Sequence, residues 1–389
     1  MAGAHALCMI PGPVEFDGDV LAAMSTPATS HVAPAFLETF GRALEKLRVV
    51  FAAPSAQPFV FAGSGTLAWD ATAANLLEPG DAVLVVNTGI FADWFGECLG
   101  VYGGDVTQLR SSGFGDRPAL GQIEEALAAK SYKMIVITQV DTSSGVLNDV
   151  KTIAALVSRV SPDTLIVVDG VCSVGGEALQ QEAWGVDVAL TASQKALGVP
   201  PGLAVLMVSQ RALKRALDRT AKPTAYFVSF KKWHPIMQKY EARQPSYFAT
   251  PPVQLIMALD TSLTHLVAAQ ADGAAASRRW EEHVAASATV KDALEAFGLT
   301  LVPTHRDHAA HTLTAVYYPE GIDGPALLKA ISERGVVVAG GLFPGKAGTY
   351  FRIGHMNISA TRPDLHHLET TIKAVKEALT SLGYAFPSK

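Results

Sequence analysis

The sequence predicts an α/β fold in which helices cover both faces of a mainly parallel sheet, joined to a smaller α+β unit. Strand-length runs of Val, Ile and Leu without polar interruptions are typical of a sheet that is buried on both faces. These runs alternate with segments of helical periodicity, which favours parallel strands linked by helices. At 389 residues and 49% hydrophobic content, the chain is too long for one compact unit, so we predict two domains.

The chain opens on a segment without clear periodicity. Residues 1–20 are rich in Pro and Gly, and we predict an extended arm that can lie over a site or a partner subunit. In residues 36–51, the side chains of Phe36, Phe40 and Leu44 fall on one stripe, which indicates an amphipathic helix facing a core. The first element of the large domain is therefore predicted to be this helix.

Strands and helices then alternate. The predicted strands are residues 58–62, 82–86, 134–138, 165–169, 186–190 and 204–208. The predicted helices are residues 66–77, 91–102, 120–129, 149–160 and 253–269. Residues 210–250 mix cationic and aromatic side chains, and we interpret them as a surface loop with a subunit contact rather than a nucleic-acid site.

The C-terminal part has the mixed pattern of an α+β unit. Its predicted helices are residues 277–297, 325–334 and 365–382, and its predicted strands are residues 313–318, 336–339 and 350–353. The resulting domain prediction is an arm (residues 1–20), a large domain (21–269) and a small C-terminal domain (270–389).

Charge and cysteine content exclude several classes of protein. The 31 basic and 36 acidic residues give a net charge of −5 without a long basic run, so we predict no nucleic-acid partner. The three cysteines are widely spaced, which fits a reducing compartment. Neither they nor the histidines, such as His31, His234 and His355, have the spacing of metal ligands. We predict no metal site.

Targeting signals are also absent from the pattern. The apolar stretches are strand-sized, which predicts no membrane span. The N-terminus lacks a signal-peptide layout, its first arginine is Arg42, and the chain ends in FPSK rather than a peroxisomal SKL address. We predict a cytoplasmic protein, with peroxisome and mitochondrion as the alternatives.

Lys195 is the most informative residue of the sequence. It follows an apolar strand and precedes a Gly/Pro-rich turn, where a lysine is costly to desolvate unless it has a chemical use. A neutral amine is a nucleophile that condenses with aldehydes, and the obvious aldehyde is pyridoxal phosphate. Taken alone, Lys195 is weak evidence, because most lysines in turns are surface residues.

Asp169 strengthens the case, because it ends another apolar strand. The carboxyl ends of parallel strands meet at the edge of a sheet where ligands bind, so Asp169 and Lys195 are predicted to lie together. An aspartate at this place can pair with the pyridine nitrogen of the cofactor and keep its ring an electron acceptor. Capping of a following helix is the alternative role for Asp169.

The GSGT segment at residues 63–66 lies between a predicted strand and a predicted helix, where backbone N–H groups can receive a phosphate. Without a lysine, it is not a Walker A loop. Residues 63–68 also satisfy the GxGxxA dinucleotide fingerprint, which makes an NAD-type dehydrogenase the rival interpretation. The rival is weakened because the next strand does not end in an acidic residue; it ends in Asn87.

Five motifs in order resemble the class V, fold type I pyridoxal phosphate aminotransferases, and in particular the fungal members of the alanine–glyoxylate and serine–pyruvate branch. The motifs are GSGT at 63–66, VDTSSGV at 140–146, VDGVCS at 168–173, SQKA at 193–196 and FRIG at 351–354. The resemblance covers nearly the whole chain. It implies a large cofactor-binding domain on a seven-stranded sheet, a small C-terminal domain and a homodimer.

The resemblance also implies a role for each matching residue. Lys195 forms the aldimine with the cofactor and moves the proton, while Asp169 pairs with the pyridine nitrogen. The cofactor's remaining contacts are implied to be Ser64, Gly65, Thr66 and Gln194 at the phosphate, Thr142 near the ring hydroxyl, and Val171 and Phe91 on the ring faces. Many relatives carry tryptophan where this chain has Phe91, so the stacking area is expected to be smaller.

Substrate and subunit contacts are implied in the same way. Arg352 would bind the substrate carboxylate in a two-pronged salt link. Gly12 would leave room beside the substrate side chain, and a plain turn is the equal alternative for it. Tyr247 and Thr250 would reach the phosphate of the other subunit's cofactor. The implied reaction is transfer of an amino group from alanine to glyoxylate, with serine as the alternative donor. Cysteine desulfurases share the fold type, but they need a nucleophilic cysteine after Cys172, which this chain lacks.

Overall fold

The structure is a computed structural model that describes residues 5–222, 224–268 and 275–387. The strands in these residues are β1 Leu7–Cys8, β2 Gln57–Ala62, β3 Ala82–Asn87, β4 Asp105–Arg110, β5 Met134–Thr138, β6 Val140–Asp141, β7 Val146–Leu147, β8 Leu165–Asp169, β9 Val188–Ala192, β10 Leu203–Val208, β11 Leu313–Tyr317, β12 Val336–Val337, β13 Ala339–Gly340 and β14 Tyr350–Gly354. The α-helices are α1 Gly18–Met24, α2 Pro34–Val50, α3 Gly65–Leu76, α4 Ile90–Val101, α5 Leu120–Ala129, α6 Val150–Val160, α7 Gln210–Asp218, α8 Phe230–Glu241, α9 Val253–Ala268, α10 Ala275–Ala296, α11 Gly324–Ser332, α12 Ile358–Thr361 and α13 His367–Ser381.

The central sheet has seven strands in the described part of the chain, in the order β2-β10-β9-β8-β5-β3-β4. Strands β9, β8, β5, β3 and β4 pair in parallel, and β10 is antiparallel to both of its neighbours. Strand β2 therefore runs in the same direction as the parallel strands. The carboxyl ends of six strands share one edge, which we call the carboxyl edge. The predicted mainly parallel sheet is confirmed.

Burial explains which strands the sequence reveals. Every residue of β5, β8, β9 and β10 is buried, because helices flank the sheet, and these strands are read as continuous apolar runs. Strand β4 was not predicted. It lies at the edge of the sheet and consists of half-exposed, mostly polar residues, so it gives no apolar run. Its partner β3 supplies the hydrogen bonds that make it a strand.

The interpretation of residues 210–250 as a surface loop is wrong. These residues contain α7 and α8, and α8 buries Phe230, Trp233, Met237 and Tyr240 on one face. The cationic side chains between these positions, together with Pro235 inside the helix, conceal its period in the sequence. The short helix α1 was not predicted either. The strand predicted at residues 186–190 is observed as β9, two residues further along the chain.

The C-terminal part forms a separate α+β layer. Its three-stranded sheet, in the order β11-β14-β13, has a core of its own with helices α10, α11 and α13, which includes Val316, Phe351 and Ile353. This agrees with the predicted smaller α+β unit. The domain boundary predicted near residue 270 lies outside the described residues and stays a prediction. None of the helices in the described ranges is both long and apolar enough to cross a membrane.

The N-terminal segment connects the C-terminal layer to the carboxyl edge. Strand β1 pairs in parallel with β12, and the carbonyl of Met9 then accepts a hydrogen bond from the amide of Gly354 (2.7 Å). Further on, the amide of Val14 donates to the carbonyl of Gln194 (3.1 Å). Residues between these contacts therefore pass directly over the segment that carries Lys195.

Candidate active site

The lysine loop, residues 193–198, leaves the carboxyl edge directly after β9. The hydroxyl of Ser193 fixes its start by hydrogen bonds to two backbone groups of the following turn (2.8 and 3.1 Å). Gly198 at its end has a φ of +68°, a left-handed conformation that favours glycine. Lys195 is half-buried between them, and its Nζ donates a hydrogen bond to the carbonyl of Pro11. The backbone thus holds the amine at a defined position beside the N-terminal segment.

Asp169 is the last residue of β8 and is 3% exposed. Its carboxylate accepts hydrogen bonds from the indole N–H of Trp69 (3.0 Å) and the amide of Val171 (2.9 Å). Burial raises the pKa of Asp169 to about 6, although these two donors oppose the rise. The residues that follow form turns rather than a helix, so Asp169 is not a helix cap. Asp169 and Lys195 leave neighbouring parallel strands, as predicted.

The glycine-rich segment joins β2 to α3 at the same edge. Ser64 is the N-cap of α3, and its hydroxyl lies 2.6 Å from that of Thr66. A Cβ on Gly65 would lie 2.8 Å from Cγ2 of Val171, so glycine allows the two segments to approach closely. The first amides of a helix lack intrahelical acceptors and carry the positive end of its dipole. This segment therefore offers an anion site.

Strand order excludes a dinucleotide site on the GSGT segment. In a dinucleotide fold, β2 and β3, with α3 between them, would be neighbouring parallel strands. Here β2 pairs with β10, and four strands separate it from β3. The interpretation as an NAD-type dehydrogenase is therefore wrong.

The carboxyl edge contains a cavity of about 160 Å³. Nine of the residues predicted for the site line it, namely Ser64, Gly65, Thr66, Phe91, Thr142, Asp169, Val171, Gln194 and Lys195. The other lining residues, which were given no role in the predicted site, are Trp69, Thr138, Val140 and Cys172. The cavity thus joins an amine, a buried acid and a helix N-terminus at one place.

Arg352 lies beside the cavity, in the middle of β14. Its guanidinium donates to the carbonyl of Thr142, which lines the cavity (3.0 Å), and to the carbonyl of Gly340 (2.9 Å). Burial lowers the pKa of Arg352 from its ordinary value. Arg352 forms no ion pair with any side chain of the described ranges. Its charge is therefore available to an external carboxylate.

Gly12 touches the lysine itself. Its φ is +99°, and a Cβ at this position would lie 2.6 Å from Nζ of Lys195. Any larger residue would displace the amine or the N-terminal segment. The predicted place of Gly12 next to the reacting groups agrees with this contact, whereas its role in substrate binding stays a prediction.

Tyr247 and Thr250 lie on the surface, away from the chain's own cavity. The Tyr247 side chain is 61% exposed, and its hydroxyl is 3.5 Å from that of Thr250. The ring of His31 packs against it at 5.1 Å between ring centres. The structure does not bring these two residues together with Lys195 in one chain, and their service to a partner's site stays a prediction.

Two buried residues of the site were missed. Trp69 holds Asp169, and Asp141 accepts hydrogen bonds from the amides of Phe91 (3.1 Å) and Ala92 (3.2 Å) at the start of α4. Burial raises the pKa of Asp141. The sequence contains a signal for each of them. Asp141 comes shortly after the strand β5, much as Asp169 comes at the end of the strand β8. Trp69 lies one helical turn after Gly65 in α3. Asp141 thereby fixes the position of Phe91 on the cavity wall.

The comparisons agree with this geometry. A family model described as Aminotransferase class-V matches residues 19–360. The chain belongs to this family. Alanine–glyoxylate aminotransferase 1 of Saccharomyces cerevisiae is 42% identical over 382 residues, covering 95% of this chain and 97% of the relative. Serine–glyoxylate aminotransferase of Arabidopsis thaliana is 30% identical over 360 residues, covering 91% and 86%.

A solved structure extends the agreement to the fold. The alanine–glyoxylate aminotransferase of Nostoc sp. superposes with a TM-score of 0.88 at 28% identity, covering 97% of this chain and 96% of that one. The predicted resemblance to class-V aminotransferases of fold type I is confirmed. The chain is a pyridoxal phosphate-dependent aminotransferase.

The cavity fits pyridoxal phosphate. An amine for the aldehyde, an acid with a raised pKa for the ring nitrogen and a helix N-terminus for the phosphate all line it. Gln194 has a buried side-chain oxygen with no hydrogen-bond partner among the described residues, which a bound ligand can satisfy. The apolar Val171 and aromatic Phe91 supply surfaces for a flat ring.

The buried acid predicts a pH-dependent stability for the cofactor-free protein. Because the pKa of Asp169 rises from 3.8 to about 6 on folding, the folded protein binds more protons than the unfolded chain between these values. Stability should therefore fall as pH rises through this window, by about 3 kcal/mol in total. Urea unfolding measures the free energy of unfolding of wild type and Asp169→Asn at each pH. As pH rises to about 6, the wild type should lose stability relative to the variant, and above that pH the difference should stay constant. A difference independent of pH would contradict the burial of a titrating acid.

Proposed function

We propose that this aminotransferase moves the amino group of L-alanine to glyoxylate, giving pyruvate and glycine, in a ping-pong cycle. The observation that carries the chemistry is the placement of Lys195, Asp169 and the GSGT segment around one cavity, with an unpaired Arg352 beside it within the described chain. The substrate pair is supported by the yeast relative, which is named for it and matches nearly the whole chain.

Lys195 and Asp169 take the two central roles. When bound, the cofactor supplies an aldehyde for covalent attachment and a ring that accepts electrons from the substrate. Nζ of Lys195 would be the group that holds the cofactor at its aldehyde, and the same amine would take the proton from the substrate Cα. The carboxylate of Asp169 keeps the ring nitrogen protonated, and Trp69 and Val171 hold that carboxylate in place.

The other lining residues orient the cofactor. Val171 and Phe91 would pack on the ring of the bound cofactor, and Thr142 would contact its hydroxyl region. The phosphate is held by the first residues of α3 together with Gln194, which means Ser64, Gly65, Thr66 and Gln194. Such contacts would orient a bound cofactor toward Nζ of Lys195.

Arg352 and Gly12 are the proposed substrate-recognition residues. The guanidinium of Arg352 offers two parallel N–H donors to a carboxylate, a geometry that amino acids and 2-oxo acids share. Gly12 lies against Lys195, where added atoms would crowd the amine and, we infer, a substrate bound beside it. A small side chain such as that of alanine suits this space, and serine is the alternative donor because one hydroxyl changes discrimination only modestly.

A half-reaction screen tests the substrates. Purified protein with bound cofactor is mixed with single amino acids, and the visible absorbance of the lysine-bound cofactor is followed. We expect alanine to bleach it with the highest rate per concentration, and glyoxylate to restore it. A much faster reaction with serine would replace the proposed donor, and no reaction with any small amino acid would refute the proposal.

The active unit is proposed to be a homodimer, in which Tyr247 and Thr250 complete the partner's phosphate site. Their surface position outside their own cavity supports this arrangement. Mixing subunits tests it. Lys195→Ala chains lack the amine, and chains with Tyr247→Ala and Thr250→Ala lack the phosphate contacts. The Lys195→Ala homodimer should be inactive and the other homodimer weakly active at low cofactor concentration, whereas the hybrid regains one complete site. No gain on mixing would contradict a site shared between subunits.

A further inference from the structure

Helix α10 passes behind the lysine loop and carries a buried arginine. Arg279 is 7% exposed and does not line the cofactor cavity. Its Nε donates to the carbonyl of Gly175 (2.8 Å), and its Nη2 donates to the carbonyl of Ala196 (3.2 Å) and to Oδ1 of Asn357 (2.7 Å). One guanidinium therefore connects three segments that are distant in the sequence.

Each of these segments carries a residue of the site. Gly175 lies in the turn segment that follows Asp169, and Ala196 directly follows Lys195. Asn357 follows β14, five residues after Arg352. The three acceptors of Arg279 thus belong to the segments of the acid, the amine and the predicted carboxylate ligand.

The packing around Asn357 leaves these segments little freedom to move separately. A Cβ on Gly198 would lie 1.5 Å from Nδ2 of Asn357, so the two turns are in direct contact. Asn357 itself has a φ of +52°, and its amide donates to Nε2 of His283 (3.2 Å), one helical turn after Arg279. The Nδ1 of His283 donates to the carbonyl of Arg279 (2.8 Å). Burial lowers the pKa of His283 to about 3, which keeps this ring neutral and able to accept from Asn357.

Stability alone does not explain an arginine at position 279. Burial lowers the pKa of Arg279 to about 10, and within the described ranges it has only neutral hydrogen-bond acceptors and no ion pair. A buried charge without a counter-charge costs free energy, and an apolar side chain of similar size often stabilises a protein better. An arginine provides what an apolar side chain cannot, namely several N–H donors that diverge from one rigid plane.

We propose that Arg279 is a positioning residue that holds the lysine loop, the turn after Asp169 and the strand of Arg352 in one fixed arrangement. The inference rests on the roles proposed above for those three residues. With the arrangement intact, a substrate held at its carboxylate presents its Cα to Nζ of Lys195. Without it, the binding and proton-transfer groups shift relative to each other, although each is still present.

The test compares Arg279→Met with Lys291→Met. Lys291 is a matched control, because it is also a buried cation of α10 (3% exposed) that donates only to backbone carbonyls, those of Ala309 and Ala310. The first readout is hydrogen exchange of the cofactor-free proteins at residues 193–198 and 355–357. We expect exchange about 10-fold faster or more in Arg279→Met than in wild type, and no such change in the control.

The second readout is a single turnover with alanine and with Cα-deuterated alanine on the cofactor-bound proteins. Arg279→Met should react about 10-fold to 100-fold more slowly, with a larger isotope effect, because proton transfer to Lys195 is misaligned. Arg279→Lys should recover only part of the rate, since one ammonium cannot reach three divergent acceptors. It also replaces Arg279→Met in both readouts if that variant does not fold.

The positioning role would be overturned if the Arg279 variants had the same exchange and single-turnover rates as the Lys291 control. That result is distinct from failure of the proposed function. If the wild-type protein itself did not react with alanine, the substrate assignment would fall, whereas the exchange measurement on cofactor-free protein would still decide whether Arg279 holds the three segments together.

Discussion

Replacing Lys195 by alanine should abolish both the visible absorbance of the bound cofactor and the reaction with amino acids. In the proposed mechanism, the variant loses the group that attaches the cofactor and moves the substrate proton. We expect turnover to fall by about 10⁴-fold or more, since general acid–base catalysis alone supplies up to that factor. Absorbance spectra and steady-state rates measure the two losses separately.

Lys133→Ala is the control for this variant. Lys133 immediately precedes β5, at the edge of the sheet opposite the carboxyl edge, and lies 3.6 Å from Asp81. It should keep both spectrum and rate. If Lys195→Ala still transaminated substantially while the control behaved as expected, Lys195 would not be the reacting amine.

Replacing Arg352 by alanine should impair substrate capture while cofactor still binds. The guanidinium is held by the carbonyls of Thr142 and Gly340, and it has no ion pair within the described chain. Loss of a buried, two-pronged carboxylate contact corresponds to about 10²-fold to 10³-fold in kcat/KM for alanine, mainly through KM. Arg352→Lys should lie between, because an ammonium keeps the charge without the paired donors.

Arg334→Ala provides the comparison in the same layer of the structure. Arg334 donates to the carbonyl of Ala330 (2.7 Å) and pairs with Glu377, away from the cavity. Its kcat/KM should stay near that of the wild type. An unchanged KM for alanine in Arg352→Ala would show that another group binds the substrate carboxylate.

The sequence predicted the parts of the fold that are buried on both faces. Strands such as β5 and β8 have no exposed residue, so their composition alone reveals them. The edge strand β4 was missed because pairing with β3, rather than its own side chains, makes it a strand. The reversed direction of β10 was not predicted either, since an apolar run carries no sign of its direction.

Helix α8 was not predicted, for a different reason. Its buried residues Phe230, Trp233 and Met237 follow a helical period, but cationic residues and Pro235 between them suggested a loop. Tertiary packing overrides such local signals, because burial of the large aromatic face outweighs the helix-breaking effect of one proline in the middle of the helix.

The site could be predicted where a strand end or a glycine-rich turn marks it. Lys195, Asp169 and the GSGT segment all follow or end strands, and the rule that ligands bind at carboxyl ends brought them together. Arg279 could not be found in this way. Its contacts join residues 78 to 104 positions apart, and nothing in the local sequence distinguishes it from a surface arginine.

The most direct test of the account is to locate the covalent attachment of the cofactor. The protein is loaded with pyridoxal phosphate, reduced with borohydride to make the bond permanent, and digested for mass spectrometry of its peptides. We predict that the cofactor mass appears on Lys195 and on no other lysine. Attachment at a different lysine, or none after loading, would contradict the central claim that this amine holds the cofactor.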